Sequence, residues 1–321
     1  LEELDEVKKK ADNALVEIYG LKKELKKTKS ELEHQRLTKA YNIESNALSS
    51  IDLFYKGYKS INNENYDKAI AYYLQAIELE PYFIYMYYHN LGAAYAKQSN
   101  WTKAISYFEK TINLKSDYYL SYFNIGLCYN NTDNYTKAIS YFKKSINIKP
   151  DYSEAYHELG VAYVSQTDRI KAKADRNKAI KSFQKAIKLN PYNANTHFRL
   201  GLQYGLQGNY ENAISSLEQA LKLESDNTEI LFNLGLIYRM NGKYIKAIQN
   251  FEKATNLEDY RGYEQIAVAY GFLKKDDEAI KYYKKAIEFY PDNDFLHYGL
   301  GVAYATIEGI DSYHAIKSLK R

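Results

Sequence analysis

Six histidines, one cysteine and adjacent acidic residues are the side chains of this 321-residue chain that could bind a metal or transfer protons. The histidines are His34, His89, His157, His197, His297 and His314. No two of them lie four residues apart, which is the spacing that places two metal ligands on one face of a helix. The acids Asp276 and Asp277 begin a predicted helix, where capping and the helix dipole explain them. These residues therefore predict no metal site.

The remaining signals for catalysis are also missing from the sequence. Cys128 is the single cysteine and lies in an apolar stretch, so it predicts a core residue and excludes an internal disulfide. The chain has no glycine-rich phosphate loop, no HExxH and no GxSxG pattern. We expect no catalytic residue and no cofactor, and hence a protein that is not an enzyme.

Composition narrows the classes of partner. Lysine and arginine total 44 against 40 acidic residues, and the two signs are interspersed along the chain. This pattern disfavours nucleic acid as a partner, because nucleic-acid binding needs a concentrated basic surface. No apolar run reaches the ~18 residues of a membrane span. The chain begins at Leu1 inside a helical pattern and without methionine, so we expect a fragment whose anchor or signal lies upstream.

A glycine recurs about every 34 residues, followed three residues later by tyrosine in most copies. The recurring positions are Gly57, Gly92, Gly126, Gly160, Gly201, Gly235, Ala267 in place of glycine, and Gly301. A leucine or isoleucine precedes most of these positions, and an alanine and an aromatic residue follow at fixed distances. In the second copy the set reads Tyr88, Leu91, Gly92, Tyr95, Ala104 and Phe108. A fixed period of this length predicts a stacked helical solenoid.

This pattern resembles the tetratricopeptide repeat family over residues 50–321. The resemblance implies an all-α fold, a right-handed alpha-alpha superhelix in which each repeat is a helix A, a tight turn and a helix B. The repeats are predicted at 50–84, 85–118, 119–152, 153–193, 194–227, 228–259 and 260–293, with a partial repeat at 294–321. Repeat arrays of this kind bind other proteins far more often than they catalyse.

By the same resemblance, the third and second residues before each repeat glycine face a concave groove. They are His89, Asn90, Phe123, Asn124, His157, Glu158, Phe198, Arg199, Phe232 and Asn233. The asparagines suit the backbone of an extended peptide, and the phenylalanines suit its apolar side chains. Family members that hold a terminal carboxylate pair lysines or arginines with asparagines, whereas here Arg199 and Arg239 lack the matching lysines. The partners expected are therefore proteins or peptides, without a preference for such a terminus.

Three departures from the period stand out. Repeat 4 carries seven extra residues at 167–176, close to two helical turns, so its helix B could begin earlier without rotating its packed face. The insertion is either a tolerated loop or a basic spur for an acidic partner, with Arg169, Lys171, Lys173 and Arg176. The step from Gly235 to Ala267 is two residues short, which predicts a change in superhelical pitch. Repeat 8 lacks a polar capping helix, so we expect a truncated or partner-covered end.

Residues 1–45 show a different, heptad pattern. The apolar seam comprises Leu4, Val7, Ala11, Ala14, Ile18, Leu21, Leu25 and Leu32. Mainly acidic residues flank one side and mainly basic residues the other, which matches attractive pairs in a parallel coiled coil. This pattern predicts a homo-oligomer that forms through residues 1–39, with a dimer favoured over a trimer. The alternative is a single helix packed on the array or on another protein.

The sequence thus predicts a protein-interaction scaffold, in which a coiled coil joins several copies of the chain and so increases the number of binding grooves. The alternative is a structural subunit of a large bacterial assembly. The composition and the upstream coiled coil look like tetratricopeptide proteins of low-GC bacteria, including those of the spirochaetal periplasmic flagellar motor collar. That resemblance slightly favours the bacterial periplasm over the cytoplasm.

Overall fold

The computed structural model describes the backbone of residues 2–25, 31–79, 82–166 and 172–306, and the side chains of all but 2–7, 31–34 and 172 of these. Within these ranges the chain is built from α-helices joined by short turns, without strands. The helices are α1 Glu2–Leu25, α2 Glu31–Asn62, α3 Tyr66–Glu78, α4 Ile84–Lys97, α5 Trp101–Leu114, α6 Tyr119–Asn130, α7 Tyr135–Ile148, α8 Ser153–Ser165, α9 Ala172–Leu189, α10 Ala194–Leu206, α11 Tyr210–Leu223, α12 Thr228–Met240, α13 Tyr244–Asn256, α14 Gly262–Phe272, α15 Asp276–Phe289 and α16 Asp294–Thr306. The predicted all-α fold class is confirmed.

The helices from α2 onward follow the predicted order of A and B helices. The even-numbered helices α2 to α16 carry the repeat glycine or its alanine substitute and are the A helices. The odd-numbered helices α3 to α15 are the B helices. The chain divides into two compact units, Leu1–Gln166 and Thr167–Arg321, which we call the N-terminal and C-terminal units. The division falls within repeat 4, at the predicted insertion. The predicted helix B of repeat 8 lies in residues 307–321, outside the described residues.

Hairpins within both units close through the repeat glycine. A Cβ added to Gly126 would lie 2.6 Å from Cε1 of Phe142, and one added to Gly235 would lie 2.6 Å from Cε1 of Phe251. Phe142 and Phe251 come sixteen residues after their glycines and are fully buried. Helices A and B therefore approach so closely that an aromatic ring of helix B rests on the bare backbone of helix A. The glycines are required for this contact, not for chain flexibility.

The turn from helix A to helix B has its own recurring chemistry. The residue before the N-cap has a left-handed backbone, with φ of 58° at Ser99, 57° at Asp133 and 77° at Gly208. The next residue in these turns is asparagine, as at Asn100 and Asn134, and its side chain accepts a hydrogen bond from the third backbone N–H of helix B. This cap satisfies one donor that the first turn of a helix leaves open.

Neighbouring hairpins are joined by side chains at the ends of the A helices. The C-cap Gln98 donates to Asp67 of the preceding B helix at 2.8 Å, and Asn241 donates to Glu211 at 2.9 Å. Buried aromatic and aliphatic residues fill the layer beneath these bonds. The packing is therefore local, because each hairpin contacts chiefly its neighbours along the chain, as in other repeat proteins.

Two of the three departures from the repeat period, the insertion in repeat 4 and the short step before repeat 7, are visible in where a helix begins. Helix α9 begins at Ala172, seven residues before the buried Ala179, whereas α11 begins three residues before Ala213. This confirms the earlier start predicted for helix B of repeat 4. In the short step before repeat 7, α14 begins at Gly262, where a Cβ would lie 2.9 Å from the carbonyl oxygen of Phe251. The predicted change of pitch there stays a prediction.

The described part of residues 1–62 forms two helices. Helix α1 packs against α2, and α2 runs unbroken from Glu31 to Asn62. The domain boundary predicted between residues 45 and 50 therefore lies inside α2, which serves as the helix A of repeat 1. The sequence indicates a boundary there because the apolar period changes, yet the backbone continues helically through the change.

Replacing Gly235 with alanine should destabilise the C-terminal unit, because the new methyl group would overlap the Phe251 ring. We expect a loss of about 1–3 kcal/mol in the free energy of unfolding, the usual cost of overpacking a core. Urea denaturation followed by circular dichroism measures it. Gly271→Ala, at a helical glycine where a Cβ would meet nothing within 4 Å, is the control and should not destabilise the unit. A Gly235→Ala variant as stable as the wild type would contradict the close approach.

Candidate protein-binding face

The A helices form the candidate binding face in each unit. In the N-terminal unit α2, α4, α6 and α8 contact one another in succession, and in the C-terminal unit α10, α12, α14 and α16 do the same. The side chains that these helices turn away from the B helices line one continuous surface in each unit. We call it the A-helix face.

His89, predicted to line the groove, is instead buried between α4 and α6. Its ring hydrogen-bonds through Nδ1 to Ser121 Oγ at 2.8 Å, and Asn124 Nδ2 lies 3.5 Å from Nε2. The rings of Phe108 and Tyr118 lie within 5.3 Å of it. Burial lowers the pKa of His89 to about 4, so the ring is neutral at pH 7. His89 therefore joins two repeats and is not available to a partner.

The predicted groove phenylalanines also pack inside the array. Phe123 lies 5.7 Å from the Phe142 ring and 5.1 Å from the Tyr152 ring. Phe232 lies 5.6 Å from Phe251, and the Arg261 guanidinium covers its other side at 4.5 Å. Phe198 packs on the same core. These rings pack on core residues and are half-exposed, like the polar residues that follow them, so their predicted contact with apolar side chains of a peptide stays a prediction.

The polar residues that follow them are half-exposed on the A-helix face. Asn90 and Asn233 each donate to the backbone carbonyl four residues earlier, at 2.9 Å and 2.8 Å. Glu158 and Arg199 are half-exposed at the same repeat position, whereas His157 is buried. Helices α4, α6, α8, α10 and α12 thus each carry one half-exposed polar side chain at this level, and these side chains form a row within each unit.

Charge is uneven across the C-terminal unit. Arg261 pairs with Glu229 at 2.9 Å and with Asp259 at 2.7 Å, so its charge is compensated. Arg239 acts on the half-buried Tyr283 of the B helix α15. Burial, followed by the Glu264 carboxylate, raises the pKa of Tyr283, while Arg239 acts in the opposite direction.

An apolar row on the C-terminal unit was not predicted. The residues five positions after the repeat glycine, or after its alanine substitute, are Leu206, Met240 and Phe272, and their exposed fractions are 65%, 53% and 58%. The corresponding residues of the N-terminal unit, Lys97, Asn131 and Ser165, are polar. Comparing this one column between repeats would have indicated the row. The prediction from sequence used only the positions before the glycine and therefore missed this row.

The predicted spur is only partly within the described residues, because Arg169 and Lys171 lie outside them. Arg176 donates to the backbone carbonyl of Leu206 at 3.4 Å, at the end of α10. Lys173 is exposed. Arg176 therefore helps to join α9 to the next hairpin, and its charge is not projected freely into solvent.

The heptad seam of α1 is turned toward its own chain. Ala14 is buried, and Ala11, Ile18, Leu21 and Leu25 are partly buried where α1 packs against α2. The side chains of Leu4, Val7 and Leu32 lie outside those described. Lys10 of α1 lies 5.1 Å from the Phe83 ring, next to α4. On the other side of α1, Val16 and Tyr19 are more than 70% exposed.

Other site chemistry is sparse in the described ranges. They contain no group of three or more histidine, cysteine or acidic side chains placed to hold a metal. Nor does any helix there combine the length and apolar character that crossing a membrane requires. Cys128 is buried, and burial raises the pKa of its thiol to about 12.

The fold and the A-helix face define a helical-repeat protein of the interaction-scaffold class. Models of the tetratricopeptide repeat match residues 56–83, 83–151 and 228–259, and a further TPR repeat model matches 175–208, 203–242 and 273–307. Together they span well over half of the chain. The chain belongs to the tetratricopeptide repeat family, whose members are generally non-enzymatic scaffolds that bind proteins.

Solved structures agree with this fold. The C-terminal part of a TPR repeat-containing protein from Cytophaga hutchinsonii is 22% identical, with TM-score 0.59 over 71% of this chain and 92% of that one. A tetratricopeptide repeat protein from Parabacteroides merdae is 16% identical, with TM-score 0.53 over 80% and 99%. YrrB, described as a TPR protein with an unusual peptide-binding site, is 21% identical, with TM-score 0.53 over 59% and 95%. At these identities the likeness shows the fold alone.

The buried His89 should make stability depend on pH. Its pKa is about 4 when folded and near 6.5 when unfolded, so the unfolded chain binds more protons between these values. The stabilisation is complete above pH 6.5 and is lost as pH falls toward 4, by roughly 3 kcal/mol in all.

Urea midpoints at pH 7.5 and pH 4.5 measure this effect. His89→Gln keeps a polar contact for Ser121 but has no ring to protonate, so its midpoint should fall less between the two values. His197→Gln is the control, and its midpoint should fall as much as that of the wild type. Equal pH dependence in wild type and His89→Gln would show that His89 is not the group responsible.

Proposed function

We propose that this protein is a non-enzymatic scaffold that binds partner proteins or peptides along its A-helix face. The observation that carries the proposal is the row of accessible polar side chains at one repeat position on successive A helices. Asn90, Asn124 and Glu158 are half-exposed in the N-terminal unit, and Arg199 and Asn233 are half-exposed in the C-terminal unit. A row with the period of the repeats can contact an elongated partner at regular intervals.

The internal contacts of the face support this role. His89, Phe123 and Phe232 are held by packing, so the backbone beneath the row is fixed before a partner binds. A preorganised surface loses less conformational entropy on binding than a flexible one. The peptide-binding site of YrrB offers a precedent for the fold, and we extend only the class of ligand to this chain.

Three asparagines allow a matched test of the face. Asn90 and Asn233 lie on A helices and Asn250 lies on the B helix α13, and each donates to the backbone carbonyl four residues earlier. Because the three amides share this backbone contact, substitution by lysine should disturb folding to a similar degree, with Asn233 losing a further contact to Glu229 Oε1 at 3.0 Å. Only the first two changes place a long cation on the A-helix face.

We expect Asn90→Lys with Asn233→Lys to reduce capture of cellular partners at least tenfold, and Asn250→Lys to leave it unchanged. Quantitative mass spectrometry of proteins retained by the immobilised chain from its host lysate measures this. Circular dichroism confirms that all variants fold. Full retention of partners by the double variant would refute binding on this face.

Self-association through residues 1–39 is a finer proposal. A parallel coiled coil would require the seam around Ile18 and Leu25 to exchange α2 of its own chain for a second copy. Light scattering of the intact chain should then give a dimer, and Ile18→Asp with Leu25→Asp should give a monomer. Two monomers, with a lower melting temperature for the variant, would assign the seam to packing within the chain.

The alternative function is a structural subunit of a large bacterial assembly such as a periplasmic flagellar motor collar. It differs from a transient scaffold in that one neighbour would occupy the A-helix face permanently. This alternative stays a prediction, based on the composition of the chain and the heptad pattern of residues 1–45. A single stoichiometric partner in the capture experiment would favour it.

A further inference from the structure

A cavity of about 300 Å³ opens between α14, α15 and α16 at the end of the apolar row. Its walls include Val268, Gly271, Phe272, Asp276, Val302 and Ala303. Phe272 and Val302 are 58% and 45% exposed, so the cavity is open to solvent beside them. Almost all of its lining is apolar. An apolar cavity of about 150 Å³ is already large enough to bind benzene.

Comparison with an equivalent place in the same unit shows why this cavity exists. Gly205 stands four residues after its repeat glycine, and a Cβ added there would lie only 2.5 Å from Cδ1 of Ile237 in the next repeat. Gly271 stands at the same position of repeat 7, yet a Cβ there would meet nothing within 4 Å. The residue equivalent to Ile237 is Ala303. The small side chain at 303 leaves unfilled the space that isoleucine fills between repeats 5 and 6.

A second difference between the repeats enlarges the opening of the cavity. The first residue of helix B is aromatic in most repeats, and Tyr244 stacks on Phe272 of the next repeat with ring centroids 5.1 Å apart. In repeat 7 this position is Asp276, and the residue that an aromatic ring would cover in the next repeat is Thr306, which lines the cavity. Two features of repeat 7, the bare Gly271 and the non-aromatic Asp276, therefore meet the small Ala303 of repeat 8 at one place.

Asp276 also gives the cavity a charge. Its carboxylate is half-exposed and makes no ion pair or side-chain hydrogen bond with the described residues of the C-terminal unit. A ligand that fills the apolar space next to this carboxylate should carry a positive charge beside its apolar group. A cation placed there would form a charge-assisted hydrogen bond, which is stronger than a neutral one.

We propose that this cavity is the anchor site for a partner segment that inserts an aromatic side chain and pairs an adjacent lysine or arginine with Asp276. The inserted ring takes the place that Ile237 and Tyr244 fill elsewhere in the C-terminal unit. The row of Leu206, Met240 and Phe272 continues the apolar contact along the neighbouring hairpins. This inference rests on the proposed scaffold function and names the chemistry of one subsite within it.

The test uses the full chain with methyl groups labelled for NMR, and N-acetyl-lysyl-phenylalanine amide as the probe. Titration should give saturable shifts of the Val268 and Val302 methyl signals. N-acetyl-glutamyl-phenylalanine amide and N-acetyl-lysyl-alanine amide should bind at least fivefold and tenfold more weakly. No saturable shift with the first peptide, or equal affinity for all three, would overturn the proposal.

Two variants separate the contributions of volume and charge. Ala303→Ile should fill the cavity as Ile237 fills its counterpart, and should weaken binding at least tenfold. Asp276→Asn keeps the volume and should reduce the affinity of the lysyl peptide to that of the glutamyl peptide. Asp277→Asn removes the next carboxylate, which does not line the cavity, and should change nothing. Unchanged binding to Ala303→Ile would place the peptide elsewhere.

Failure here is distinguishable from failure of the scaffold function. If the peptide does not bind while Asn90→Lys with Asn233→Lys still abolishes capture of partners, only the cavity proposal is refuted. If the peptide binds while the double variant retains all partners, the cavity stands and the A-helix row is refuted.

Discussion

The close contact between a repeat glycine on helix A and a large side chain on helix B is the constraint on which the rest of this structure depends. Phe108, Phe142 and Phe251 each lie over such a glycine, and all three are fully buried. The contact sets the distance between the two helices of a hairpin. Since each hairpin packs on the next through the same layer, an error in one distance would pass to its neighbours.

This constraint also decides which surfaces remain for function. The inner sides of the A and B helices are used by the core, and the residues just before the glycine fill the layer between hairpins. His89 bonds to Ser121 of the next A helix, and Phe232 is enclosed by Phe251 and Arg261. What remains on the A-helix face is one polar residue on each of α4, α6, α8, α10 and α12 and, in the C-terminal unit, an apolar residue near the end of α10, α12 and α14. The two units therefore offer different chemistry on a common backbone.

A repeated scaffold allows local changes without loss of fold. Helix α9 gains about one turn at its start while Ala179 and Phe183 keep their buried positions. Asp276 replaces the aromatic residue that begins helix B in most repeats, while the helices around it persist. Such changes are tolerated because stability in an array is close to a sum over hairpins and their interfaces. Function can thus vary between hairpins more freely than in a domain with one shared core.

The sequence by itself determined the helical class, the order of A and B helices and the place of the insertion, because the 34-residue period and the glycine contacts are local and recur. It did not determine which groove residues are accessible: His89 occupies the predicted position, but its burial depends on Phe108, Tyr118 and Ser121, which lie outside its own helix. Likewise, the seam of α1 has the pattern of a coiled coil, and only the folded chain places it against α2. The cavity at Gly271 needed the tertiary structure most, since an empty space is a property of several side chains on different helices and of none of them alone.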